Sequence, residues 1–138
     1  MTLNVFSPRE KKISLYSDFK KDLEVNLLTD DIAIIRDEDS VKEAIRNLVL
    51  TDRGERLMQP QLGAGIRELL FENLTPATLE LIRDRVQSTI EIYEPRADLI
   101  DVTASGSLDE NEVYVTVRFY ISNREQPVTL DVILERTR

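Results

Sequence analysis

Glu112-Val113-Tyr114-Val115-Thr116-Val117-Arg118-Phe119-Tyr120-Ile121 decides the fold class. Val113, Val115, Val117, Phe119 and Ile121 fall at every second position, so an extended chain here has one apolar face and one wettable face. β-Branched and aromatic residues fill the run, and neither glycine nor proline interrupts it. Upstream, Ile100, Val102 and Ala104 alternate with Asp101, Thr103 and Ser105, and Gly106 to Asn111 then breaks the pattern. Downstream, past Pro127, Val128, Leu130, Val132 and Leu134 share one face of a third run. Three such runs predict an antiparallel meander with a single buried face, and that face needs a cover.

Two helices upstream supply the cover. Ser40 with Glu43 three residues later has the spacing of a capping box, and Val41, Ala44, Ile45, Leu48 and Val49 then follow at helical spacing. Asp52-Arg53-Gly54-Glu55 ends this helix, and Met58 to Gly65, with Pro60, Gly63 and Gly65, predicts an ordered loop before a short helix over Ile66 to Phe71. Thr75 is placed to cap the second helix with Pro76 in its first position, where a missing N–H costs nothing. Leu79, Ile82, Val86, Ile90 and Tyr93 line its apolar face, and Pro95 stops it near Tyr93 or Glu94. The expected fold is α+β: a small antiparallel sheet of about three C-terminal strands with two main helices packed on one face.

Val25 to Leu28 and Ile32 to Ile35, separated by Thr29-Asp30-Asp31, predict one or two short strands, one of them a candidate addition to the sheet. Residues 1–22 show no clean periodicity and divide from the domain at 23–138 as an N-terminal arm that orders on contact, or else as a frayed terminus. Met1 to Lys12 has the wrong order of charge and apolarity for a signal peptide, and no run approaches the ~20 apolar residues of a membrane helix.

The chain carries 26 Asp and Glu against 18 Lys and Arg, a net charge of -8, so its surface repels phosphate backbones and direct nucleic-acid binding is disfavoured. Cysteine is absent, which removes disulfides and thiol chemistry; histidine is absent too, which removes the usual general base and the commonest metal ligand. A Glu/Asp pair is all a glycosidase requires, yet Asp37-Glu38-Asp39 and Asp109-Glu110 sit where solvated turns are expected. Gly63-Ala64-Gly65 shares two glycines with phosphate loops but lacks a preceding strand, a third glycine and a lysine, so turns needing positive φ are the better reading. No EF-hand spacing occurs, and neither metal nor cofactor is expected.

Glu94-Pro95-Arg96 by residue type alone is a proline helix stop flanked by surface charges. Its setting adds to that. A capped helix, then Leu50-Thr51-Asp52-Arg53-Gly54-Glu55-Arg56, Pro60, Gly63-x-Gly65, Leu70-Phe71-Glu72, a helix closing on Tyr93-Glu94-Pro95-Arg96, and a meander: this ordered set, over about residues 37 to 136, resembles the lysozyme-like baseplate wedge family of contractile-tail phages and type VI secretion systems. Leu62 stands where that family commonly has an aromatic residue, and Ala64 where a cysteine is frequent.

The resemblance implies a non-enzymatic structural subunit of a contractile-tail baseplate, placed in a virion tail made in the host cytoplasm or in a related injection machine. Its implied partners are other wedge proteins and the tail sheath, with no nucleic acid and no membrane. Glu94, Pro95 and Arg96 become a contact motif for the wedge core. The strand Val128, Thr129, Leu130, Asp131, Val132, Ile133, Leu134, Glu135 becomes a sheath-facing edge, guarded only by Asp131, Glu135 and Arg136, that initiates sheath assembly by accepting a strand. The competing readings are a muralytic glycosidase and a small regulatory anti-adaptor of the same fold type.

Overall fold

The computed structural model describes residues 14–107, 112–122 and 124–135. Along the chain run β1 (Ser17–Phe19), β2 (Val25–Asn26), β3 (Asp31–Ile32), β4 (Ile34–Arg36), α1 (Glu38–Leu50), α2 (Arg67–Leu70), α3 (Pro76–Tyr93), β5 (Ala97–Ser107), β6 (Glu112–Ile121) and β7 (Val128–Glu135). Met1 to Lys12, the Asp109-Glu110 turn and Arg136 lie outside the described residues.

The three C-terminal strands form one antiparallel sheet in the order β5-β6-β7, as expected. Val113 faces Leu134, Val115 faces Val132, Val117 faces Leu130 and Phe119 faces Val128, so the inward residues of the two strands stand directly opposite one another. All eight are buried, each contributing roughly 1.5–3 kcal/mol relative to exposure.

β5 departs from the simple alternation. The sequence pattern turns Ile100 inward with Val102 and Ala104, but Ile100 is 42% exposed. The pairing with β6 shifts between Leu99 and Asp101. This bulge inserts one residue and inverts the parity, so Ala97 and Leu99 face the helices before it and Val102 and Ala104 after it.

α3 packs on β5, while α1 lies against α3 and touches β7. Ile82, Val86 and Ile90 of α3 and Val41, Ile45 and Val49 of α1 are buried in the same core as the sheet residues. Thr75 caps α3 as expected, its Oγ1 accepting from the Thr78 N–H at 3.2 Å.

The expected capping box does not form. α1 starts at Glu38, two residues ahead of Ser40, with Asp37 in the cap position at φ 50° and no side-chain cap bond. Three consecutive acids at the positive end of the helix dipole set the start instead. Ser40 is buried inside the first turn, where its Oγ meets no hydrogen-bond partner among the described residues, and Glu43 pairs with Arg46 at 2.9 Å.

Both apolar pieces between Glu24 and Arg36 supply strands. They pair as nested hairpins, β1 with β4 and β2 with β3, and among the described residues none of them joins the three-stranded sheet. Ser17–Phe19, placed by the sequence in the arm, thus pairs with Ile34–Arg36. Phe19, Leu23, Val25, Leu27, Leu28 and Ile34 are exposed on these hairpins.

Candidate functional site

α3 passes into β5 through Glu94-Pro95-Arg96, and proline dictates the geometry. It keeps Glu94 out of the helical region, at φ -126° and ψ 75°, while the Glu94 N–H still donates to the Ile90 carbonyl as the last bond of the helix. The Arg96 carbonyl accepts from the Ser122 N–H at 3.0 Å, fastening this corner to the end of β6.

The two charged side chains of the motif meet each other. Arg96 Nε donates to Glu94 Oε1 at 2.6 Å and Arg96 Nη2 donates to Glu94 Oε2 at 2.7 Å, a two-pronged pair with matched planar geometry. Glu94 is buried, with 5% of its side chain exposed against 27% for Arg96. Hydrogen bonding to Glu94, reinforced by charge, pushes the guanidinium above its ordinary range, with desolvation opposing. The guanidinium also lies over the Tyr16 ring, 5.4 Å from its centroid. Arg96 is therefore a half-buried member of the fold rather than an exposed helix-end charge. Two of its five N–H donors serve Glu94, leaving three for other acceptors.

A second polar knot adjoins it. Asp37 Oδ1 accepts from the Leu15 N–H at 2.9 Å and the Tyr16 N–H at 3.4 Å, and Asp37 Oδ2 stands 3.8 Å from Arg124 Nη2. Arg124 Nη1 donates to Glu38 Oε2 at 3.3 Å. Asp37 and Glu38, expected in a solvated turn, instead bind the segment before β1 and the β6–β7 connection to the start of α1. Tyr16, Asp37 and Arg124 carry this arrangement, and no sequence periodicity could have marked them.

β7 pairs with β6 and, among the described residues, with no strand on its other side. It is an edge. Thr129, Asp131, Ile133 and Glu135 of its outer face are exposed, and Asp131 accepts from the Thr116 hydroxyl at 2.7 Å. In an antiparallel pair every second residue turns its N–H and C=O away from the partner, so among the described residues these groups on β7 pair with no strand.

The glycine loop holds architecture. Gly63 and Gly65 have φ 111° and 59°, and the N–H groups of Ala64 and Gly65 donate to the carbonyls of Leu48 and Thr51 at the end of α1. Those donors are spent on the helix end rather than offered to a phosphate. Among the described residues no group of three or more acids could hold a metal ion, and no helix is long and apolar enough to cross a membrane.

A family model described as baseplate wedge protein gp25 matches residues 35–126. The chain is 28% identical over 107 residues to the baseplate wedge protein gp25 of Enterobacteria phage T4, covering 78% of this chain and 80% of that protein. A crystal structure from Geobacter sulfurreducens carrying a tail-lysozyme label superposes with a TM-score of 0.67 at 29% identity, over 73% of this chain and 92% of the other. A chain of the anti-feeding prophage baseplate shares the fold with a TM-score of 0.61 at 21% identity, over 89% and 87% of the two chains. So does a chain of a type VI secretion baseplate complex, with a TM-score of 0.53 at 18% identity, over 70% and 92%.

Proposed function

The chain belongs to the baseplate wedge protein gp25 family, and from this premise we propose that it is a non-enzymatic subunit joining the wedge core to the first ring of tail sheath. In this reading Glu94, Pro95 and Arg96 form the wedge-facing corner, and β7 accepts a strand from a sheath subunit and so initiates sheath growth. The subunit acts in the baseplate of a virion tail or related injection machine, after synthesis in the cytoplasm, without nucleic acid or membrane as partner.

The observation that carries the reading is the open outer edge of β7 on a sheet whose inner face is fully packed. Backbone pairing there adds affinity without requiring a large apolar patch on the free subunit. The corner supports it in a different way: Pro95 is exposed, and Arg96, held by Glu94 and about a quarter exposed, keeps three N–H donors that suit carboxylate or carbonyl oxygens.

Proline placed in turn at Thr129, Asp131 and Ile133 tests the edge. The three positions share one parity, so their N–H groups lie on one side of β7; with that side away from β6, proline removes no ladder bond and the monomer keeps its fold. The expected result is a folded variant, by circular dichroism, that enters baseplates but builds no sheath. Normal sheath from every folded variant would exclude β7 as the acceptor.

The tail-lysozyme label of the Geobacter structure makes wall hydrolysis worth measuring. Buried Glu94 is already bound by a guanidinium and histidine is lacking, so purified protein is expected to release no sugar from peptidoglycan. Turnover abolished by one Asp or Glu replacement would reverse the non-enzymatic reading.

A further inference from the structure

The turn between Asp52 and Leu62 holds two large apolar side chains out in water. Leu57 is 98% exposed and Met58 95%. Scattered single apolar residues are ordinary on a surface, but these two are adjacent, at the tip of a turn whose base is tied shut. The Gly54 N–H donates to the Pro60 carbonyl at 2.7 Å, the Gln59 N–H to the Arg56 carbonyl at 3.1 Å and the Leu62 N–H to the Gln59 carbonyl at 3.1 Å. The acid of the turn is taken up within it, Glu55 Oε2 accepting from the Asp52 N–H at 3.0 Å. Its cations are not. Arg53 and Arg56 are exposed, and among the described residues their side chains enter no ion pair or hydrogen bond.

The turn rests on the end of α3. The Tyr93 hydroxyl donates to the Gln61 carbonyl at 3.1 Å, and two open clefts of about 310 and 330 Å³ adjoin this contact, both bordered by Pro60, Gln61 and Tyr93. Ile92, 69% exposed, borders the second. Arg53 is the one charged residue bordering either cleft, on a chain whose net charge is -8. Tyr93 is also the neighbour of Glu94, so this surface runs on into the Glu94-Pro95-Arg96 corner.

We propose that the 52–62 turn is the second half of the wedge-facing surface, and that it takes an acidic wedge-protein segment bearing large apolar side chains. The inference rests on the reading of the corner given above. Leu57, Met58 and Ile92 leave water only under an apolar cover, and the thioether of Met58 adapts to the shape of that cover. Arg53 and Arg56 keep all their donors for carboxylates, which they can grip two-pronged; a basic partner would meet them as like charges. The backbone bonds across the turn fix it before any partner arrives, so docking orders few residues of this chain.

Three full-length double variants test this: Leu57→Ser with Met58→Ser, Arg53→Glu with Arg56→Glu, and the conservative Leu57→Met with Met58→Leu. All four positions are exposed, so thermal midpoints by circular dichroism are expected to stay within about 3 °C of the parent's. The serine pair and the glutamate pair are each expected to lower the amount of chain recovered in purified baseplates at least about tenfold, while the conservative pair keeps the parent's level. Arg96→Lys, which keeps a cation beside Glu94 but removes the guanidinium fork, reports on the corner separately. If Arg96→Lys is excluded from baseplates and the serine pair enters normally, the corner stands and the part given to the turn falls; if both enter normally, both fall. Normal entry of the glutamate pair alone would overturn the acidic partner. Sedimentation of the free chain is expected to show a monomer, and a dimer abolished by the serine pair would make the occupant a second copy and overturn the proposal. Baseplates that take up the serine pair normally but grow no sheath would overturn it in favour of a sheath contact.

Discussion

Arg96→Ala is expected to destabilise the folded chain by about 3 kcal/mol, the cost of leaving a buried carboxylate without its counter-charge. Glu94 keeps 5% of its side chain exposed, and both its oxygens are held by the one guanidinium. Arg96 is itself about a quarter exposed, which places the effect at the low end of the range for broken buried pairs. For a chain of this size the thermal midpoint should drop by about 10 °C. Glu94→Leu combined with Arg96→Leu should cost less than Arg96→Ala alone, because no buried charge is then left behind. Thermal unfolding followed by circular dichroism decides this. The guanidinium is pushed upward, so its contribution is complete below the unfolded-state value and is lost only as pH climbs through the raised folded-state value; near neutrality it stays constant. A midpoint for Arg96→Ala within about 2 °C of the parent's would mean that the fork is surplus to the monomer and is held for a partner.

Gly63→Ala should be at least as damaging. A Cβ there would stand 2.3 Å from the Thr51 carbonyl oxygen and 2.9 Å from its carbon, and the backbone sits at φ 111°. The conformation alone costs an L-residue about 1–3 kcal/mol, and the contact is with main chain at the end of α1, which cannot rotate aside. A loss above about 3 kcal/mol is expected, a large share of the stability of an ordinary domain. Gly65→Ala is the internal control. Its added Cβ meets only the Arg53 side chain, at 3.2 Å, and φ is 59°, so a loss of about 1–2 kcal/mol is expected. Urea unfolding of both variants gives the ranking, and equal losses would show that the Thr51 contact does not govern the loop.

Legibility in the sequence followed the range of the interactions involved. β6, β7 and α3 were readable because strand alternation, a threonine cap and a proline stop are local signals, and burial of alternate residues selects for them. α1 was readable in its apolar face but not in its start. Ser40-x-x-Glu43 has capping spacing, yet Asp37, engaged by the Leu15 and Tyr16 backbone and by Arg124, fixed the helix two residues earlier. Ile100 was misread because a bulge leaves the apolar alternation of the sequence unchanged while turning the chain over. In the corner, Glu94 and Arg96 are two residues apart, so their pairing lay within reach of reasoning about how proline splays its neighbours. Tyr16 and Arg124 were out of reach. Arg124 meets Glu38 across 86 positions of sequence, and no local pattern encodes such a contact.

The sheet order has a consequence for timing. β5, β6 and β7 pair strictly in the sequence in which they leave the ribosome, and β7 brings four of the buried side chains that complete the core. At ~5–20 residues per second, a nascent chain that has reached β6 exposes a half-covered sheet for a second or two, its outer rim then being β6 itself. The outer edge of β7 exists only once that strand has docked, and the same docking step buries Val128, Leu130, Val132 and Leu134. Completing the core and creating the β7 edge are thus one event, and a copy that lacks β7 ends its sheet at β6 with that strand's inward residues half covered.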